Sequence, residues 1–143
     1  MQLAYPGGDI PIERGVCADV IVRAFRKIGV DLQVSLHEDM SRNFAAYPKI
    51  WKLRKPDKNI DHRRVPNLMT YFKRQRKSVS LQSKYEPGDI VAWRLPGGLY
   101  HIGVVSNRLA GGEEHYLVVH NIGYGTRNED VLRAFEIIGH YRW

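Results

Sequence analysis

Glu86-Pro87-Gly88-Asp89-Ile90-Val91-Ala92-Trp93-Arg94, the Pro96-Gly97-Gly98 break and His101-Ile102-Gly103-Val104-Val105-Ser106 decide the fold. The Pro-Gly-Asp turn opens an apolar run, the Pro-Gly-Gly break ends it, and a second apolar run follows at once. That pattern predicts two antiparallel strands joined by a hairpin. Downstream, Gly111-Gly112 marks another turn before Tyr116-Leu117-Val118-Val119-His120, and Ala134 to Tyr141 reads as a closing strand.

Upstream, the periodicity changes from two to that of a helix. Gly15 precedes an apolar stripe of Cys17, Ile21, Ala24, Phe25 and Ile28, the spacing of one buried face, and Gly29 is a natural stop. A second helix is expected over Leu32 to Phe44, with His37, Glu38 and Asp39 facing solvent. Pro66 suits the first turn of a third, carrying Val65, Leu68, Met69 and Phe72 along one side. Its cationic end, Lys73, Arg74, Arg76 and Lys77, complements the helix dipole. Helices first and a strand meander later predict an α+β fold, with N-terminal helices packed on a C-terminal antiparallel sheet. With 143 residues and no linker or repeat, residues 1–143 are expected to form one domain.

The formal net charge of +7 is unevenly spread. From Lys49 to Lys84 there are twelve Lys and Arg against Asp57 and Asp61, a local excess of ten. Such a segment attracts a polyanion, or it is simply a solvated face. The aromatic platform of a single-strand binder, a zinc-finger pattern and a P-loop are all missing, so no specific nucleic acid is expected. One cysteine makes no internal disulfide and no structural zinc site. No apolar run is long enough for a membrane helix, and the first six residues lack the features of a signal peptide.

Cys17 stands where a turn enters a helix, and that position has two readings. One is a small buried hydrophobe. The other is a nucleophile, because free N–H groups at a helix start favour a thiolate and hold the oxyanion of a carbonyl under attack. Two of the six histidines favour the second reading. His101 opens one strand and His120 ends the next, so neighbouring antiparallel strands can bring both rings to one end of the sheet. With Cys17 they make a nucleophile, base and orienter set. Asn121 is the alternative orienter; His120 is chosen because the apolar run Leu117-Val118-Val119 ends there. Metal binding by the same three residues is the weaker explanation, and no cofactor is called for. Elsewhere, Asp61-His62-Arg63 forms a neighbourhood polar enough to line a cleft.

Tyr5-Pro6-Gly7-Gly8, Cys17 at a helix start, Glu86 to Trp93, His101-Ile102-Gly103-Val104-Val105 and His120 together resemble the NlpC-type cysteine peptidases of bacterial cell walls, in the papain-like superfamily. Nearly the whole chain, Tyr5 to Trp143, is similar to DUF1287, a family of small bacterial proteins related to NlpC. The resemblance implies a papain-like fold, with the nucleophile Cys17 on the first core helix, the base His101 on the second strand and His120 on the strand after it. It also implies that Tyr5 helps bind the reacting group. The chain departs from the usual Asp-Cys-Ser-Gly around the nucleophile, reading Val16-Cys17-Ala18-Asp19 and setting an acid, Asp19, beside the site. Between Gly29 and Tyr85 the long basic insertion is expected to wall a cleft where Asp61, His62, Arg63 and Asn121 contact substrate. The implied activity is amide hydrolysis of peptidoglycan stems or crosslinks through a Cys17 thiolate paired with His101, whose free carboxylates suit Arg63 or Arg64. A monomer located in the periplasm or outside the cell, attracted to the anionic envelope surface, completes the expectation. The rival is a non-catalytic basic module for envelope polyanion or nucleic acid; the NlpC relatives also include amidases and acyltransferases.

Overall fold

The computed structural model describes residues 2–11, 15–50, 52, 54–112 and 114–143. Three helices, α1 (Cys17–Lys27), α2 (Leu32–Arg42) and α3 (Val65–Arg74), precede five strands. These are β1 (Ile90–Arg94), β2 (Tyr100–Leu109), β3 (Tyr116–His120), β4 (Arg127–Glu129) and β5 (Glu136–Tyr141). All pairings are antiparallel and the sheet order is β4-β3-β2-β1-β5. The fold is α+β, with helices on a C-terminal sheet, as the patterning predicts.

Alternation along β1 divides the interior in two. Ile90 and Ala92, with Ile102 of β2, face the helices and meet Ile21, Phe25, Leu36, Leu68 and Phe72. Val91 and Trp93 face the other way, into a second core with Tyr85, Val105, Val118 and Leu132. The segment after β4 therefore covers the far side of the sheet, and no helix is needed there.

Local chemistry sets the helix ends. At the close of α1, Val30 N–H donates to Phe25 O at 3.0 Å and Gly29 N–H to Arg26 O at 3.1 Å, with Gly29 at φ +84°. This six-to-one and five-to-two pair satisfies the last carbonyls and needs a residue content in the left-handed region. Ile28, expected on the buried stripe, is 61% exposed because it caps the helix instead of turning inward. At α2, the Asp31 carboxylate accepts the Gln33 N–H at 3.1 Å. The helix stops at Arg42, two residues before the expected Phe44, and Phe44–Ala46 forms a 3₁₀ turn.

Asp39 corrects the sequence reading most clearly. Its charge predicts solvent exposure beside His37 and Glu38, yet it is buried, accepting from Tyr47 Oη at 2.6 Å and from Arg74 Nε at 2.7 Å. Those partners come from a later turn and from α3, which periodicity within α2 does not register. Glu38 is exposed, and His37 is half-buried against the Tyr5 ring.

Candidate active site

The β1–β2 register sets Trp93 opposite His101, so both point into the second core. Their rings stack with centroids 5.3 Å apart at 22°, and Phe135 meets the imidazole edge-on at 6.5 Å. Trp93 is itself anchored by its indole N–H, which donates to Leu132 O at 3.0 Å. β3 pairs with β2 through Val104↔Val119 and Val105↔Val118. Two residues along from Val118, His120 therefore falls on the same face as His101. His101 Nε2 and His120 Nδ1 are 2.9 Å apart. His120 Nε2 lies 2.8 Å from Glu129 Oε1, on β4.

Gly103, in the His-x-Gly motif, has a steric reason. A Cβ there would sit 2.8 Å from Val118 Cγ1, 3.0 Å from Val119 O and 3.2 Å from Trp93 Cη2. Only a glycine lets the indole lie close enough to the sheet to stack on His101.

Burial pushes the His101 pKa down to about 4, and the neighbouring His120 adds to the effect. At neutral pH its imidazole is uncharged, the form that accepts a proton. His101 Nε2 is engaged with His120, and among the described residues its Nδ1 has no hydrogen-bond partner.

Cys17 is the first residue of α1 and packs, half-buried, against the helix-side core. Burial raises its thiol pKa; hydrogen bonding from the backbone of Ile102, Ala18 and Cys17 itself works in the opposite direction. Ile102, the residue after His101, faces the helices, so the thiol meets β2 on the face opposite the His101 imidazole, and the structure does not bring Cys17 and His101 into contact as the sequence leads one to expect. Among the described residues neither His101 nor His120 hydrogen-bonds the thiol, and the raised thiol pKa opposes a resting ion pair. The expected thiolate and imidazolium are thus, at rest, a protonated thiol and a neutral ring.

The start of α1 is held from three sides. Asp19 Oδ2 accepts the Val16 N–H at 2.7 Å, closing the first turn. Arg63 Nε and Nη2 donate to the same carboxylate at 3.0 and 3.2 Å. Asn121 Nδ2 donates to Gly15 O at 3.0 Å. His120 and Asn121 point to opposite sides of the sheet, one to the histidine pair and the other to the loop before Cys17.

The remaining residues expected at substrate lie elsewhere or are already engaged. Asp61 and His62, on the 3₁₀ turn Asp61–Arg63, are 1% and 2% exposed. Burial raises the Asp61 pKa and lowers that of His62 to about 4. Asp61 instead accepts the Asp57 N–H at 2.5 Å. Arg63, expected to meet a substrate carboxylate, has Asp19 as its carboxylate. Tyr5 stacks edge-on with His37 at 5.4 Å and lies under Lys58 Nζ at 5.3 Å, contacts that hold it on the α2 side.

Sequence reasoning missed Trp93, Phe135 and Glu129. Trp93 was legible, since the hairpin register opposes it to His101. Glu129 carried no signal, lying in the polar run Arg127-Asn128-Glu129-Asp130.

The molecule is thus an α+β protein whose sheet carries a Glu-His-His chain on the face away from the helices and meets a cysteine at a helix start on the other. Over residues 1–143 it matches the family described as "Domain of unknown function (DUF1287)", and the chain belongs to that family. It is also similar to "Uncharacterized protein YijF" of Escherichia coli strain K12, 57% identical over 146 residues that take in 100% of this chain and 71% of the relative. No solved structure matches the chain.

Proposed function

We propose that the protein is a cysteine-dependent amide hydrolase of the NlpC, papain-like type, acting on the peptide stems or crosslinks of peptidoglycan in the bacterial envelope, in the periplasm or outside the cell. The observation that carries this reading is the 2.9 Å bond from His101 Nε2 to His120 Nδ1. It leaves Nδ1 as the proton-accepting nitrogen of a neutral ring, one residue from the strand position that meets Cys17.

In this mechanism Cys17 Sγ attacks the scissile carbonyl and its proton passes by way of water to His101 Nδ1, which stands on the opposite face of β2. Because the resting thiol is protonated, the transfer belongs to the attack, as general-base catalysis. The Cys17 N–H at the start of α1 stabilises the tetrahedral oxyanion. His101 then protonates the leaving amine, and water deprotonated by the same ring releases the acyl group from sulfur. A cleft lined by Pro66, Met69, Lys73, Arg94 and Tyr100 reaches β2 at the residue before His101, though Cys17, His101 and His120 are not in its described lining. Its described lining holds two strong cations and no carboxylate, which suits a substrate bearing free carboxylates.

Purified peptidoglycan incubated with the protein should release peptide fragments, identified by mass spectrometry, that Cys17→Ala does not release. Identical fragment profiles from the two proteins would overturn the reading. A second reading has its own observation: a groove lined by His37, Lys52, Arg54, Lys55 and Lys58, with Asp57 as the one acid of its described lining. This groove favours binding of an envelope polyanion, which in the absence of any turnover would show as salt-sensitive retention on wall material.

A further inference from the structure

We infer that Glu129 is a positioning residue of this site: acting through His120, its carboxylate fixes which nitrogen of His101 carries the proton. The inference rests on the hydrolase reading for its consequence, but on geometry alone for its substance.

β4 pairs with β3 through Val118↔Glu129, Val119↔Asn128 and His120↔Arg127. Glu129 therefore shares a face with Val118 and His120, and reaches His120 along the diagonal of the ladder. His120 in turn reaches His101 across the next pair of strands. The result is a line of two hydrogen bonds across β4, β3 and β2, 2.8 Å from Glu129 Oε1 to His120 Nε2 and 2.9 Å from His120 Nδ1 to His101 Nε2.

Donor and acceptor roles follow from that line. A carboxylate oxygen only accepts, so His120 Nε2 carries a proton and donates it to Glu129. In the neutral chain His120 Nδ1 is then a lone pair, which accepts from His101 Nε2–H. A neutral His101 protonated on Nε2 is unprotonated on Nδ1, the nitrogen required to receive the thiol proton. Without Glu129, His120 is free to protonate Nδ1 instead, and the bond to His101 reverses. The reversed chain leaves His101 protonated on Nδ1 and useless as the base. When His101 does take the proton, the new positive charge faces a line ending in a negative one.

The Glu129 side chain is 40% exposed, so replacing it does not open a core. Nitrogen-15 NMR of the imidazoles should find His101 and His120 each in the Nε2–H form in the intact protein. Glu129→Leu should give mixed tautomers at both rings, with any peptidoglycan turnover falling about tenfold or more. Glu129→Gln, which keeps an acceptor oxygen, should restore the single tautomer. Unchanged tautomers in Glu129→Leu, with an otherwise native amide spectrum, would overturn the inference. The tautomers report whether or not peptidoglycan is cleaved, so failure of the hydrolase reading and failure of the Glu129 role give different results.

Discussion

A methyl group added at residue 103 would press on Val118, on the Val119 carbonyl and on the outer edge of the Trp93 indole. Val118 and Trp93 have room to move only by disturbing the second core, and the carbonyl belongs to a paired strand. Gly103→Ala should therefore destabilise the protein by about 1–3 kcal/mol, the usual range for overpacking a filled interior. A lower urea midpoint would measure the loss, and a shifted Trp93 fluorescence would report the displaced indole. Trp93 also supplies the face on which His101 lies, so the imidazole resonances of His101 should move with it. If stability fell while those resonances stayed in place, the steric link between glycine, indole and histidine would be wrong.

At the scale of elements, α1 is docked in part by a nearly buried ion pair. The side chains of Arg63 and Asp19 are 15% and 5% exposed, and the bond joins the first turn of α1 to the 3₁₀ turn before α3. Removing the cation leaves a nearly buried carboxylate with, among the described residues, the Val16 N–H as its remaining hydrogen-bond donor. Arg63→Ala should cost about 3 kcal/mol in urea unfolding, the lower end for breaking a buried pair from one side. A loss below 1 kcal/mol would mean that the carboxylate regains water and that the pair contributes little. This contact also marks the boundary of what the sequence discloses. The helix α1, the apolar side of α3 and the strands β1 and β3 were legible because each repeats its own period and is bounded by glycine or proline. β4 was not, being three polar residues held only by β3. Asp39, Asp61, His62 and Arg63 look like cleft or surface residues in the sequence because charge predicts exposure until a distant partner appears. His101 and His120 were legible as a pair because strand ends meet in an antiparallel sheet. Glu129, which completes their chain, needed the register of a strand the pattern does not announce.

For the whole molecule, two buried histidines set the response to acid. His101 and His62 have pKa values near 4 in the folded state, against about 6.5 for an unperturbed histidine. The unfolded chain therefore binds more protons between those values, so the stability each contributes is full above pH 6.5 and is lost as pH falls toward 4. Asp39 and Asp89, both lowered, add their losses at still lower pH. Asp61 is raised and works with the opposite sign, its contribution present at acid pH and lost as pH rises through the folded value. Urea unfolding measured in steps from pH 7 to pH 4 should show a steady fall, with an uptake approaching about two protons on unfolding. His62→Gln should flatten that slope by close to half. An unchanged slope would mean that the His62 ring is charged in the folded protein.

The two borders of the sheet have a consequence for how copies of this chain meet. Along β5, the Val79 N–H donates to His140 O at 2.8 Å and the Arg142 N–H to Lys77 O at 2.9 Å, so residues 77–79 occupy the outer side of that strand. On the opposite border β4 is only Arg127, Asn128 and Glu129. A chain of its own kind that approached either border would meet positions already filled on one side, and a short charged rim on the other. Among the described residues, ladder growth from molecule to molecule, the route by which open sheets become fibres, finds no open starting strand.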